Sequence, residues 1–195
     1  HYITEARYNG TRVVSIAPDY NASTIHADLY VPVKPGTDAA LALSVCKILI
    51  DDGVVDQAFV KEQTDLALLV RSDTGRYLRQ TDLDGEGRED QLYVWDAATA
   101  QPQRAPRGTL KLGDLDPALD GSFEAVLADG RAVEVRPVFD LLRERLADYA
   151  PERAAEMTGT SAGTIRRLAA LVKEAKRIHI LQGFNTPKYY HGDLM

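Results

Sequence analysis

Residues 11–20 read Thr-Arg-Val-Val-Ser-Ile-Ala-Pro-Asp-Tyr, and residues 27–38 read Ala-Asp-Leu-Tyr-Val-Pro-Val-Lys-Pro-Gly-Thr-Asp. In the first stretch Val13, Val14 and Ile16 form a nearly continuous β-branched run, as expected of a strand covered on both faces. Pro18-Asp19-Tyr20-Asn21 ends it with loop chemistry. The second run, Ala27 to Val33, carries Pro32 near its end. Proline cannot donate to a ladder, so a short edge-like strand is expected. Lys34-Pro35-Gly36-Thr37 reads as a turn and Thr37 as the N-cap of a helix over 38–52. Ala40, Leu41, Val45, Ile48 and Leu49 recur at helical spacing, and Gly53 suits the helix C-terminus.

The same succession returns at the far end of the chain. Ser161 to Lys176 reads as a helix with Ile165, Leu168, Ala169 and Val172 on one face. Ile178-His179-Ile180-Leu181 reads as a buried-type strand, and Gln182-Gly183-Phe184-Asn185-Thr186-Pro187 as a turn into another helix. Strand, loop and helix at both ends argue for an α/β fold, a Rossmann-like layered domain with a mainly parallel sheet. Between them, after a short helix over 55–63, residues 70–137 change character. Asp-Gly, Gly-Arg and Pro signals dominate, with β-like pieces at 92–95, 123–127 and 132–135 and a hairpin turn at Ala128-Asp129-Gly130-Arg131. This stretch is expected to be a β-rich surface insertion. The expected organisation is therefore 1–69 as the first part of the α/β domain, 70–137 as the insertion, and 138–195 as the second part, opening on a helix over 138–148.

Composition narrows the function classes. The 195 residues hold 23 Lys plus Arg against 29 Asp plus Glu, a net charge of −6. Such a chain exerts no general pull on nucleic acid or an anionic membrane surface. No apolar run reaches the ~20 residues a bilayer span needs. One cysteine, Cys46, excludes an internal disulfide framework and by itself holds neither zinc nor an iron–sulfur cluster. In mid-helix it reads as a small core residue. No targeting peptide is visible, and a chain running from His1 to Met195 reads as cut from a longer polypeptide.

Several motifs are weighed and set aside. Gly159-Thr160-Ser161-Ala162-Gly163 has the spelling of a nucleophile elbow, which needs a strand before the serine. Pro151 to Glu156 are polar and helix-forming instead, so Ser161 reads as a helix N-cap. Asp82-Leu83-Asp84-Gly85-Glu86-Gly87 resembles half a calcium loop, but Tyr93 stands where a bidentate Glu is needed. His26, His179 and His191 are too scattered for a metal site, and His179 reads as a core residue. No Gly-x-Gly-x-x-Gly or Walker loop occurs.

What remains is a set of loops that follow strands: Ile16 to Tyr20, Pro35 to Asp38, and Gln182 to Asn185. In open α/β sheets, ligands sit beyond the carboxyl ends of the strands. Backbone amides at a helix start favour phosphate oxygens. A carboxylate can accept both N–H groups of a guanine edge. Asp19 and Asp38 are placed for that role. Spacing alone equally allows Asp38 simply to favour a helix N-terminus and Asp19 an Asx turn.

At these residues the sequence resembles a known family. Ala17-Pro18-Asp19-Tyr20, Ala27-Asp28 and Pro35-Gly36-Thr37-Asp38 within 7–44, together with 180–195, are similar to catalytic subunits of the dimethyl-sulfoxide reductase family. These are molybdenum enzymes carrying bis-(molybdopterin guanine dinucleotide). The Ala-Pro-Asp-Tyr form resembles the branch with respiratory nitrate, selenate, chlorate and perchlorate reductases, dimethyl-sulfide dehydrogenase and ethylbenzene dehydrogenase. The resemblance implies that the chain is one piece of a longer catalytic subunit, gripping one of two pterin guanine dinucleotides. It places Ile16, Ala17 and Asp19 at the guanosine end, and Gly36 and Asp38 at the guanine and its phosphates. Gly183, Asn185 and Lys188 fall in a segment nearer the metal. Asp19 stands where much of the wider family has Arg, so a cationic phosphate contact is lost there. The family's four-ligand 4Fe-4S motif and a molybdenum-ligating Asp are not assignable in this chain. The resemblance further implies an iron–sulfur electron-transfer subunit as partner, a bacterial or archaeal source, and a periplasmic or cytoplasmic face of the membrane, the periplasm favoured. The parent would be an oxyanion reductase or hydrocarbon dehydrogenase. The competing expectation is a non-catalytic α/β protein-interaction module, with residues 70–137 as its contact surface.

Overall fold

A computed structural model describes residues 2–181, and they form a mixed α/β structure that divides into two compact units. One comprises residues up to Val54 together with those from Leu146 onward; the other runs from Val55 to Arg145.

The first unit contains helix α1 (Tyr2–Tyr8), strands β1 (Val14–Ala17) and β2 (Leu29–Pro32), and helix α2 (Asp38–Asp51). Helices α6 (Pro151–Thr158) and α7 (Ala162–Glu174) complete it. β1 and β2 pair in parallel, in register Val14↔Leu29, Ser15↔Tyr30, Ile16↔Val31 and Ala17↔Pro32. Side chains alternate across a strand, so Leu29, Val31 and Val33 share one face. All three are buried with Leu41, Val45, Ala154, Ile165, Leu168 and Ala169 in one apolar cluster. α2 forms where the 3.6-residue period was read, with Gly53 left-handed (φ 70°) just past its end. Ser161 caps α7 as expected, its hydroxyl accepting from the Thr164 N–H at 3.1 Å. At the strand starts, Asp28 accepts from the Val13 N–H at 2.7 Å and from the Arg7 guanidinium at 2.7 Å. Arg7, then that backbone N–H, hold its carboxyl below the ordinary range.

Four expectations for this unit are corrected. β1 is not covered on both faces; none of its residues is fully buried and Ile16 is 47% exposed, because β2 is its one partner among the described residues. Residues 178–181 form no strand: Ile178, His179, Ile180 and Leu181 are all exposed. An apolar run reports what a segment is ready to bury, and no neighbouring strand pairs with it here. His179 is accordingly no core residue. Cys46 is exposed as well, since the buried stripe of α2 passes through Leu41, Ser44 and Val45.

The second unit carries α3 (Gln57–Gln63), β3 (Leu69–Arg71), α4 (Gln80–Asp84), β4 (Tyr93–Asp96) and β5 (Gln101–Arg104). It continues with β6 (Phe123–Val126), β7 (Ala132–Pro137) and α5 (Val138–Leu146, whose last residue belongs to the first unit). Thus α3 and α5, flanking the loop-rich stretch, belong to the unit that contains it. The strands form an antiparallel β3-β7-β6 sheet and an antiparallel β4-β5 pair. These antiparallel strands all lie in the second unit, where a β-rich stretch is expected; the one described strand pair of the first unit, β1–β2, is parallel. Short hairpin connections such as Leu127–Arg131 can join only antiparallel neighbours. Leu69, Leu78, Tyr93, Ala125, Leu127, Val133 and Val135 make the core, flanked by Trp95 stacked on Phe123 with centroids 4.3 Å apart. The half calcium loop is α4: Asp82 caps the helix by accepting from the Arg79 N–H and pairs with Arg71, and left-handed Gly85 ends it.

This unit concentrates depressed carboxylates. Buried Asp96 accepts from the Asp116 N–H at 2.9 Å and from the Thr99 hydroxyl at 2.7 Å, which hold it below the ordinary range. Arg71 does the same to Asp73, the Arg131 N–H and guanidinium to Asp129, and Ser122 to Glu134. A carboxylate whose folded pKa lies below its unfolded value stabilises the fold above the unfolded pKa and ceases to as pH falls through the folded one. The unit is therefore expected to unfold in acid, below the ordinary carboxylate value of about 4. Trp95 fluorescence followed against pH checks this; Asp96→Asn should make the acid transition less steep, and an unchanged slope would assign the acid sensitivity to other groups.

Candidate functional site

The parallel register sets Ala17 against Pro32 at the carboxyl end of both strands, so the loops leaving β1 and β2 start from the same edge. Ala17 is fixed there twice: its carbonyl accepts from the Val33 N–H at 3.4 Å and from the Tyr30 hydroxyl at 3.1 Å. Asp19 follows two residues later, exposed and, among the described residues, with no hydrogen bond or ion pair to its side chain. Tyr20, 65% exposed, meets Tyr30 edge-to-face, with ring centroids 5.4 Å apart and planes at 90°.

The β2–α2 loop is set by Gly36. Its φ of 79° is a backbone region that residues with a Cβ rarely adopt, and a Cβ built there would meet nothing within 4 Å. The turn closes through Thr37 N–H to Lys34 C=O at 3.1 Å. Thr37 does stand at the N-cap position, but its hydroxyl donates back to the Lys34 carbonyl at 2.7 Å and makes no capping bond. Among the described residues the first-turn amides of α2 are thus left without a side-chain acceptor, and the carboxylate of Asp38, half-buried at the first helical position, engages no other group. A helix start with open N–H groups is an anion-binding feature.

The outer edge of β2 is closed by the α6–α7 turn. Lys34 N–H donates to the Thr158 carbonyl at 2.8 Å, and the buried Thr160 hydroxyl donates to the Pro32 carbonyl. The Lys34 stem lies along Gly159 and its Nζ donates to the Glu156 carbonyl at 3.4 Å. Of the expected site residues, Ile16 and Ala17 lie on β1, Asp19 in the loop after it, and Gly36 and Asp38 at the β2–α2 junction; all belong to one end of one strand pair. Gly183, Asn185 and Lys188 lie outside the described residues. Sequence reading missed the Tyr20–Tyr30 pair and the Thr158–Thr160 turn, neither of which has a spacing signal. Among the described residues no group of three or more His, Cys, Asp or Glu is arranged to hold a metal ion, and no helix is long and apolar enough to cross a membrane.

No protein-family model matches the chain. Curated proteins do. The chain is 42% identical, over its whole length, to 24% of the perchlorate reductase subunit alpha of Dechloromonas aromatica (strain RCB). It is 42% identical, over 98% of its length, to 21% of the dimethylsulfide dehydrogenase subunit alpha of Rhodovulum sulfidophilum. It is 37% identical, over 99% of its length, to 21% of the respiratory nitrate reductase subunit alpha of Haloferax mediterranei. The chain therefore spans between a fifth and a quarter of the length of these relatives.

Proposed function

The chain belongs to the dimethyl-sulfoxide reductase family, matching a segment of its molybdenum-dependent catalytic alpha subunits, and from that premise we propose that it grips the guanine dinucleotide part of a molybdopterin cofactor. The observation that carries the reading is Asp38: a carboxylate engaged by no other group among the described residues, at an uncapped 14-residue helix, just beyond the carboxyl end of a parallel strand pair.

The residues present fit such a group. Asp19 and Asp38 supply acceptors for the ring N–H and exocyclic N–H₂ of guanine. The open amides of α2 suit phosphate oxygens, and the space beside Gly36 lets backbone approach them. Ile16 and Ala17 border the nucleoside, with Ala17 held rigid by Tyr30 and Val33. When bound, the molybdenum group supplies two-electron chemistry such as oxygen-atom transfer; these residues position and shield it. Gly183, Asn185 and Lys188 belong to the same proposal, nearer the metal.

We further propose a Rossmann-like layering for this part of the subunit, built on the parallel β1–β2 pair and the helices α2, α6 and α7 packed in one cluster with it. The whole subunit would then act as an oxyanion reductase or hydrocarbon dehydrogenase. Relatives named for perchlorate, chlorate and nitrate reduction favour the first. Its partners would be the rest of the catalytic subunit and an iron–sulfur electron-transfer subunit, with 4Fe-4S elsewhere in the alpha subunit and the complex on the periplasmic side. The interaction-module reading has less behind it: in residues 70–137 the exposed large apolar side chains are Leu110 and Val126, too few for a docking patch.

The test is Asp38→Ala in the full-length subunit, produced in a host that makes the cofactor. Molybdenum and acid-released guanine nucleotide per protein should fall about five-fold, the scale of a lost charged contact in a partly exposed site, with the melting temperature of the cofactor-free subunit unchanged. Normal loading would overturn the assignment.

A further inference from the structure

We infer that Tyr20 is the stacking wall for the purine held at this site, an inference that rests on the reading above. Tyr20 comes three residues after β1 and exposes 65% of its surface, so its ring is available to a ligand. It is also held: Tyr30 meets it edge-to-face at 5.4 Å, and Tyr30 is itself fixed at mid-strand with its hydroxyl on the Ala17 carbonyl. An edge-to-face partner occupies one side of a ring arrangement and leaves a flat π-face open. The geometry thus spends one tyrosine on orienting another at the carboxyl end of the strands.

Purine recognition has two physical requirements. Hydrogen-bonding groups must meet the base edge, and a flat polarizable surface must cover its face. Carboxylates at Asp19 and Asp38 answer the first; they do nothing for the face of the base. Asp19 and Tyr20 are consecutive, so one loop would present both an edge acceptor and a face. Stacking is indifferent to the base's exocyclic groups, because every purine has a π-face. Tyr20 would therefore add affinity for a purine as such, and the carboxylates would select guanine. The tyrosine hydroxyl has no part in this, and Phe should serve as well.

The experiment measures equilibrium binding of GMP, IMP and ribose 5-phosphate to the full-length subunit freed of its cofactor. Tyr20→Ala should weaken GMP and IMP alike, by roughly ten-fold, and leave ribose 5-phosphate unchanged, which also shows that the variant is folded. Tyr20→Phe should bind all three as the parent does. Asp38→Ala serves as the comparison: it should weaken GMP more than IMP, which lacks the exocyclic amine. If Tyr20→Ala binds GMP normally while Asp38→Ala does not, the stacking wall is wrong and the guanine site stands. If Tyr20→Ala weakens ribose 5-phosphate equally, the side chain shapes the loop and does not stack. If the parent subunit binds no GMP, both proposals fall together.

Discussion

Ile165→Ala is expected to destabilise the first unit by about 2–5 kcal/mol, the usual cost of deleting a fully buried branched side chain. Ile165 is 0% exposed, on the face of α7 that packs into the cluster with Val31, Val33, Leu41 and Val45. The substitution removes apolar contacts and leaves a void between helices and strands that are already at interior density. Because the chain has two compact units, a single unfolding free energy is not the right measure. Amide hydrogen exchange within α2 and α7 reports this unit directly, and Trp95 fluorescence reports the other. Faster exchange in α2 and α7 by the factor that 2–5 kcal/mol implies is the expected result. A change under about 1 kcal/mol would mean that the surrounding side chains collapse into the space. The consequence reaches the candidate site, because the packing of its buried stripe helps to position the uncapped start of α2.

Legibility in the sequence follows locality. α2 and α7 could be read because their apolar residues recur every three to four positions and their ends carry Gly53 and Ser161. The hairpin at Asp129-Gly130 could be read because a left-handed residue is needed there, and Gly130 has φ 82°. The site loops were legible for the same reason: Pro18, Pro35 and Gly36 mark where strands stop. What escaped depends on partners far away in the chain. The polar stretch Gln101–Arg104, with Pro102 inside it, becomes a strand because β4 lies beside it. Asp82, in a stretch whose half calcium loop is set aside from sequence, has as partners the Arg79 N–H and the Arg71 guanidinium, the latter 11 residues away. The type and place of Thr37 point to a cap, yet its hydroxyl donates to the Lys34 carbonyl, three residues back, and accepts from no first-turn N–H. Residues 178–181 show the converse: an apolar run does not make a strand unless a neighbour is seated against it.

The Gly159-Thr160-Ser161-Ala162-Gly163 stretch carries the second large expected effect, at Thr158 beside it. Thr158 is fully buried at the end of α6; its hydroxyl donates to the Ala154 carbonyl at 2.7 Å and accepts from the Thr160 N–H at 3.1 Å. Thr160 is buried too, and its hydroxyl reaches the Pro32 carbonyl 128 residues away in sequence. Thr158→Val keeps the shape and removes the acceptor, stranding a buried backbone donor, for which the cost is about 1–3 kcal/mol. Thr158→Ser keeps the acceptor and should cost clearly less, so the pair of variants separates the hydrogen bond from the packing of the methyl group. If valine and serine were equally destabilising, the hydroxyl would not be the cause. The turn also receives the Lys34 N–H through the Thr158 carbonyl at 2.8 Å, so loosening it should raise exchange at Lys34 and Thr37 before it does so in the middle of α2. That order links the stability of the turn to the loop carrying Gly36 and Asp38: a stretch spelled like a catalytic elbow acts here as the brace that holds the edge of β2, where proline has no N–H to give.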